Sequence, residues 1–401
     1  MKIGVTGPDL LLNKGGSQIH TINVISNLIN RYNFVYFPNP CLYSKFKSNI
    51  DEVQKNIDNL KKAGVIVTEQ FYDIIKHNYS EKEVLEKYRR ENCDILFNFD
   101  YLNTCISPND FTIKLSSMMR VKFAVTVQGL ADFNIHLFPY IRDTFRLSST
   151  YRILLIRIYQ YISRHILLYR LSHQKRIVKI LMVNNSYNKN IKIKNKNIEL
   201  LNPSNGIMNS IHTDNINVKK EDKIVFLARL VYNKGIFELP KILYLLNKSY
   251  RIKLVLIGKF LYENEKTEFV KLINKYGLNN LVEYRGFMDE PSMYHELSTS
   301  KLMIYPSHSD SFSIALSQAL LSHTPVVAYN IPGIEIYNGL KPVKLVKEFD
   351  YNKFVEAALE LLNMKDYSDL FDQEISNFIS SHNWYDVAKQ YIKVFDHLYQ
   401  Q

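Results

Sequence analysis

The sequence predicts an α/β protein built from two Rossmann-like domains, and three observations lead to this prediction. Short apolar runs rich in β-branched residues alternate with helix-forming segments along the chain, which is typical of parallel sheets covered by helices. The runs fall into two sets, which meet near residues 202–207. The length of 401 residues is ample for two domains that each bury a core.

Six strands are predicted in each half of the chain. Those of the first half are residues 3–6, 34–37, 65–67, 95–99, 123–127 and 181–183. Those of the second half are residues 224–228, 254–257, 282–284, 303–305, 326–328 and 343–346. Ligands of open α/β sheets lie beyond the carboxyl ends of the strands, so we expect functional residues there.

Composition narrows the class of protein. The apolar fraction of 46% is that of a globular chain. The three cysteines, Cys41, Cys93 and Cys105, lack metal-type spacing and suit a reducing cytosol. Residues 1–6 read as a first strand rather than a signal peptide, and no uncharged apolar run approaches the roughly 20 residues that cross a bilayer. We therefore expect a cytoplasmic location.

Residues 306–328 are the most informative stretch of the chain. Pro306 and the serines after it predict a turn, and residues 312–321 predict a short helix that follows a cap at Ser309 or Asp310. Residues 325–328 predict a buried strand. The free N–H groups at the start of such a helix favour an anion such as a diphosphate.

This stretch resembles the nucleotide-sugar-binding segment of the family-4 retaining glycosyltransferases, which have the GT-B fold. The family pattern there is Glu-Gly-Phe-Gly, a second Glu eight places after the first, and then Pro-Val-Val-Ala. In this chain Asp310, Ser311, Phe312 and Ser313 occupy the first block and Gln318 the second acidic position. The spacing and the Pro-Val-Val-Ala at residues 325–328 match the family pattern, but both glutamates are replaced.

A second segment carries the same resemblance. Residues 224–230 and the Asn233-Lys-Gly after them resemble a family strand followed by an Arg and a Lys-Gly. The resemblance implies that Arg229 and Lys234 clamp the donor diphosphate, and two cations on a diphosphate form strong charge-assisted hydrogen bonds. It also implies an acceptor domain at 1–204, a donor domain at 205–384, and a cleft between their sheets. A C-terminal helix at 385–401 would return to the first domain.

Three further positions follow from the resemblance. Gly15 and Gly16 follow the first strand, where the family places a glycine-rich loop near the donor phosphates; an ordinary strand-to-helix loop is the alternative. Gln128 stands where relatives commonly carry a histidine near the reacting sugar. Because an amide cannot take up a proton, Gln128 is not expected to act as an acid or a base. It either positions a sugar hydroxyl or hydrogen-bonds the backbone of a loop. Glu335 lies where relatives approach the donor sugar. His20 is expected to be structural.

The resemblance implies transfer of a sugar from a nucleotide-diphosphate donor to a glycan or lipid-linked acceptor, with front-face attack and retention of configuration. Arg229, Lys234, Asp310 and Gln128 are the candidate catalytic residues. The donor-binding candidates are Gly15, Gly16, Ser311, Phe312, Ser313, Gln318 and Glu335. The resemblance implies no cofactor and no metal for the transfer step. A non-catalytic carbohydrate- or membrane-binding descendant stays open, whereas a dinucleotide-dependent oxidoreductase is disfavoured because no Gly-x-Gly-x-x-Gly follows a predicted strand.

The net charge of +12 is concentrated in residues 142–179. Nine cations and one acid, Asp143, occur there, and residues 151–171 have helical periodicity with arginines in one sector and a broad apolar side. Two readings stay open: a helix that docks on an anionic membrane, and a core helix with a solvated arginine face. Nucleic-acid binding is disfavoured, because the segment has no recognised binding motif.

Overall fold

The computed structural model describes residues 1–12, 15–101, 111–128, 171–184, 197–207 and 218–400, together with positions 155, 158, 162, 166 and 169. The described residues form two compact units. The first lies within Met1–Leu130, Ile162–Gly206 and His382–Gln401, and the second contains Ile207–Ser381.

The first unit contains a seven-stranded parallel sheet in the order β3-β2-β1-β4-β5-β6-β7. Its strands are β1 (Lys2–Thr6), β2 (Asn33–Tyr36), β3 (Val65–Val67), β4 (Ile95–Asn98), β5 (Phe123–Val127), β6 (Ile177–Met182) and β7 (Asn197–Leu200). All six predicted strands are present, although β6 begins four residues earlier than predicted. The sequence did not reveal β7, because this partly exposed edge strand alternates polar and apolar residues and is not a buried apolar run.

The second unit contains a six-stranded parallel sheet in the order β10-β9-β8-β11-β12-β13. Its strands are β8 (Glu221–Leu227), β9 (Lys253–Ile257), β10 (Val282–Gly286), β11 (Ser300–Tyr305), β12 (Val326–Tyr329) and β13 (Val343–Val346). Each corresponds to a predicted strand. The two parallel sheets confirm the predicted α/β class of paired Rossmann-like domains.

Helices connect the parallel strands, as crossover connections require. In the first unit they are α1 (Gly16–Ser26), α2 (Tyr43–Ser48), α3 (Ile50–Lys62), α4 (Gln70–Lys76), α5 (Glu81–Arg89) and α6 (Phe111–Met119). In the second they are α7 (Leu239–Leu246), α8 (Glu263–Lys275), α9 (Glu290–Thr299), α10 (Ile314–Leu321), α11 (Tyr351–Leu362) and α12 (Gln373–Ser381). The last helix, α13 (Trp384–Tyr399), belongs to the first unit.

The C-terminal helix α13 is held in the core of the first unit by its apolar face. Trp384, Tyr391 and Phe395 are buried in the same cluster as the apolar residues of β1 and β4. Gly206 has no room for a side chain, since an added Cβ would lie 2.4 Å from the Trp384 ring. This packing explains why the last helix of the chain belongs to the first unit rather than to the second.

Only five positions of the predicted helix at 151–171 before Leu171 lie among the described residues. Leu155, Ile158, Ile162, Ile166 and Tyr169 are all helical and all exposed. Leu171, which follows them, is buried. A core helix would bury such apolar residues, so the described part does not fit that reading.

Candidate active site

The candidate residues of the second unit lie at the carboxyl ends of neighbouring strands. Arg229 follows β8, residues 310–313 follow β11, and Glu335 follows β12. Because β11 pairs with both β8 and β12, these strand ends are adjacent in the sheet. Ligands of parallel α/β sheets bind at this edge.

A buried ionic cluster lies at the centre of this edge. The Lys234 ammonium donates to the Asp310 carboxylate over 2.9 Å and to the Ser309 carbonyl over 2.7 Å. The Tyr305 hydroxyl donates to the same Asp310 oxygen over 2.6 Å. The Lys234 and Asp310 side chains are only 12% and 15% exposed, so this is a largely desolvated pair.

The pKa shifts keep all three groups in their ordinary charge states. Burial alone would lower the pKa of Lys234, but the Asp310 carboxylate outweighs it and raises that pKa. Burial would raise the pKa of Asp310, and the Lys234 cation outweighs it and lowers that pKa. Burial and the Asp310 charge together raise the pKa of the Tyr305 hydroxyl to about 12. Lys234 is therefore a cation, Asp310 an anion and Tyr305 a neutral donor at physiological pH.

The second oxygen of Asp310 organises the turn before α10. It accepts the backbone N–H groups of Ser311, over 2.9 Å, and Ser313, over 3.1 Å. Ser313 has a φ of 60°, in the left-handed region. The predicted helix start at residue 312 is therefore wrong. The helix begins at Ile314, because Ser313 leaves the helical conformation and its amide is bonded to a side chain.

Arg229 differs from Lys234 in having no ionic partner among the described residues. It is exposed, and its charge acts on Lys234, whose pKa it lowers slightly against the effect of Asp310. An exposed guanidinium beside a buried ammonium provides a local excess of positive charge. Such a pair suits the two phosphates of a diphosphate.

Two glycines allow the loops of this edge to approach one another. Gly235 has a φ of 80°, and an added Cβ would lie 2.0 Å from the Pro306 carbonyl oxygen. At Gly333 an added Cβ would lie 1.9 Å from the Asp310 carbonyl oxygen. The Lys234 loop and the loop before Glu335 are thus both held against the turn that contains Asp310.

Gln318 lies one turn into α10 and is half-buried. Its side chain hydrogen-bonds the hydroxyl of Tyr294, a buried residue of α9. The amide therefore already has one protein partner. Its predicted contact with a ribose hydroxyl would use its remaining hydrogen-bonding capacity.

The candidates of the first unit also follow strands of its sheet. Gly15 caps α1 in an extended conformation, with a φ of −153°, and Gly16 is the first helical residue. Gln128 is buried after β5 and donates to the Phe99 carbonyl over 2.9 Å. His20 is buried and hydrogen-bonded, as expected of a structural residue.

Two features of this edge were missed by the sequence analysis. Tyr305 was read only as the last residue of a strand, and its position before Pro306 is the one signal that could have drawn attention to it. His308 is not among the residues that the sequence singles out, but it is buried and contacts Glu238 and Glu348, each at 2.8 Å. Its partners are 70 and 40 residues away in the chain, so no local pattern reveals them.

Within the described ranges, no group of three or more His, Cys, Asp or Glu side chains could hold a metal ion. The described helices also include none that is long and apolar enough to cross a membrane.

Sequence comparison identifies the family of the second unit. Residues 208–377 match the model of a family described as glycosyl transferases group 1. The chain is also 26% identical over 121 residues to an uncharacterized glycosyltransferase, MJ1607, of Methanocaldococcus jannaschii. That alignment spans 30% of this chain and 30% of the archaeal protein.

Structural comparison extends over the whole chain. The structure is similar to TarM, with a TM-score of 0.69, 13% identity and coverage of 100% of this chain and 99% of that one. It is similar to HepE of Anabaena in complex with UDP and glucose, with a TM-score of 0.65, 13% identity and coverage of 99% and 100%. A glycosyltransferase from Rickettsia africae gives a TM-score of 0.64 at 15% identity, with 99% and 98% covered. These likenesses confirm the GT-B fold, and the family match relates residues 208–377 to the group 1 glycosyltransferases.

Proposed function

We propose that this protein transfers a sugar from a nucleotide-diphosphate donor to a glycan or lipid-linked acceptor, with retention of configuration. The observation that carries the proposal is that exposed Arg229 and buried Lys234 both follow the carboxyl end of β8, next to the turn after β11 that Lys234 contacts. Retention and membership of family 4 rest on the resemblance of residues 306–328 and 224–235 to that family.

Transfer from such a donor expels a nucleoside diphosphate, so negative charge develops on the leaving phosphate. Preorganised cations stabilise that charge without having to reorganise during the reaction. Lys234 is already fixed by Asp310 and Ser309, whereas Arg229 is free of described ionic partners and can close on the ligand. The two cations thus provide a fixed and a movable contact to the diphosphate.

The solved neighbours suggest the first donor to test. HepE was solved with UDP and glucose and also with UDP-glucose, and TarM with UDP. UDP is therefore the starting nucleotide, and a panel of nucleotide sugars would extend the search. A bound nucleotide stabilises the folded protein by mass action, so the melting temperature reports binding.

Replacement of Arg229 by glutamine tests the proposal directly. Because Arg229 is exposed and unpaired among described residues, the fold should be unaffected, while transfer should fall by about 10²–10³-fold. Arg251→Gln is the matched control, since Arg251 is exposed in the same unit and does not lie at the carboxyl edge of the sheet. Equal turnover by the two variants would reject Arg229 as a catalytic residue. A wild-type protein that binds no nucleotide would favour the non-catalytic descendant.

We further propose that the protein works at the cytoplasmic face of an anionic membrane, with residues 142–179 as the contacting segment. Ile162, Ile166 and Tyr169 are exposed at spacings of four and three, which places them on one side of a helix. Exposed apolar side chains in a segment with nine cations and one acid suit the interface of an anionic bilayer. Self-association through the same segment is disfavoured, because a second copy of the chain would bring its positive charges next to those of the first.

Co-sedimentation with vesicles tests the membrane contact. Wild-type protein should bind phosphatidylcholine vesicles that contain phosphatidylglycerol, and added salt should weaken binding. Replacing Ile162 and Ile166 by serine should reduce binding, whereas Val270→Ser should not, because Val270 is an equally exposed apolar residue of α8. Unchanged binding by the double variant, or its loss of self-association instead, would reject the membrane assignment.

A further inference from the structure

The Asp310 carboxylate has no hydrogen-bonding capacity left. Two oxygens of a carboxylate offer about four lone-pair directions. Four donors from the protein occupy them: the Lys234 ammonium and the Tyr305 hydroxyl on one oxygen, and the amides of Ser311 and Ser313 on the other. An acidic side chain beside a donor site can either accept a sugar hydroxyl or hold protein groups in place. The occupied directions favour the second use.

We propose that Asp310 is a positioning residue, which holds Lys234 in place and does not bind the donor sugar. Tyr305 supports this role, because its hydroxyl fixes the Asp310 carboxylate next to Lys234. This inference rests on the proposed function, since it concerns how the diphosphate site is held ready. It assigns Asp310 a role different from the catalytic one expected from the sequence. It also adds Tyr305 to the residues on which donor affinity depends.

The consequence for Lys234 follows from counting its donors. An ammonium has three N–H groups, and two of them are directed to Asp310 and to the Ser309 carbonyl. The third remains for a phosphate oxygen. Two fixed bonds therefore determine where the third points, so Lys234 needs little ordering when the ligand arrives.

The backbone of the turn depends on the same carboxylate. The Ser313 amide bonds to Asp310, and Ser313 takes the left-handed conformation. As a result α10 starts at Ile314, and the amides of its first two residues, Ile314 and Ala315, are the ones that lie at the helix end. Asp310 thus fixes both the ammonium and the first helical amides that can face an anion.

An aspartate is suited to both tasks, and an asparagine is not. In Asp310 each oxygen accepts from two donors. In an asparagine the NH₂ group would face either Lys234 and Tyr305 or the amides of Ser311 and Ser313, so donors would face donors on one side. Asp310→Asn should therefore disrupt one half of the cluster while changing the side-chain volume very little.

Binding of inorganic pyrophosphate, UDP and a UDP-sugar to the full chain separates the alternatives by the direction of the change. If Asp310 positions Lys234, Asp310→Asn should weaken binding of all three, by about tenfold. If Asp310 acted only as a nearby negative charge, its removal would strengthen pyrophosphate binding. If it bound the donor sugar, only the UDP-sugar would bind more weakly. Either of the last two results would overturn the inference.

Tyr305→Phe gives a second test that keeps the charges. We expect about three- to fivefold weaker binding of pyrophosphate and UDP and a raised donor KM, because Asp310 loses one of its four donors. Tyr329→Phe is the control: Tyr329 is the buried last residue of the next strand, β12. Equal affinities in the two variants would overturn the inference about Asp310 and Tyr305 and leave the proposed function standing. A wild-type protein that binds neither UDP nor pyrophosphate would overturn the proposed function, and the inference with it.

Discussion

Two buried histidines, one in each unit, have opposite pKa shifts although both are almost fully enclosed. His20 in α1 contacts the side-chain amide oxygen of Asn205 and the Tyr391 hydroxyl, and burial lowers its pKa to about 4 although the Asn205 bond acts in the other direction. Burial also acts to lower the pKa of His308, but its two carboxylate partners, Glu238 and Glu348, outweigh burial and raise it to about 9. The charge of the partners, rather than burial, decides the charge of the ring.

The difference shows two ways of joining distant parts of the chain. The neutral network of His20 joins α1 to Asn205 and to α13 through Tyr391, which also contacts Thr126 of β5 at 3.1 Å. The ionic cluster of His308 joins the turn after β11 to Glu238 and Glu348. The first depends on hydrogen bonds that any pH near neutrality preserves. The second depends on a protonated ring.

The largest effect is expected from removing the charged ring. His308→Leu would leave the Glu238 and Glu348 carboxylates without their cation, which should lower the free energy of unfolding of the second unit by about 3–5 kcal/mol. Chemical denaturation followed by a probe in that unit measures the change. His295→Leu, at an exposed position of α9, should change it by less than about 0.5 kcal/mol. A His308 variant as stable as the control would show that the cluster contributes no stability.

A smaller effect is expected from removing the neutral ring. His20→Leu would leave Asn205 and Tyr391 each without one partner, at a cost of about 2–4 kcal/mol to the first unit. Combining it with Tyr391→Phe should cost less than the sum of the single changes, because both remove the same hydrogen bond. Strict additivity in the denaturation data would mean that the two side chains do not act together.

The smallest effect is a pH dependence with opposite signs in the two units, on the order of 2–3 kcal/mol each. The pKa of His308 is raised from 6.5 to about 9, so its contribution is full below pH 6.5 and is lost as pH rises toward 9. The pKa of His20 is lowered from 6.5 to about 4, so the first unit loses stability as pH falls from 6.5 toward 4. Unfolding measured across this range in the wild type and in each leucine variant separates the two. The His308 variant should lose only the pH dependence of the second unit's free energy of unfolding, and the His20 variant only that of the first unit.

The sequence was sufficient for elements whose signal is local. Buried strands such as β5 and β12 are continuous apolar runs, and their order along the chain predicts alternating α/β structure. The edge strand β7 lacks that signal and was missed. The start of α10 was placed two residues early, because the left-handed Ser313 is stabilised by a side-chain bond and not by local propensity.

What the sequence by itself determined is therefore the class of fold and the strand ends that carry Arg229, Lys234 and Asp310, because periodicity and short motifs are properties of neighbouring residues. Only the tertiary structure decided the partners. Tyr305 and Lys234 converge on one carboxylate from segments 71 residues apart, and that distance in the chain leaves no trace in local composition. The charge of a buried group such as His308 depends on which side chains the fold brings within about 3 Å, so it becomes defined only when the chain is folded.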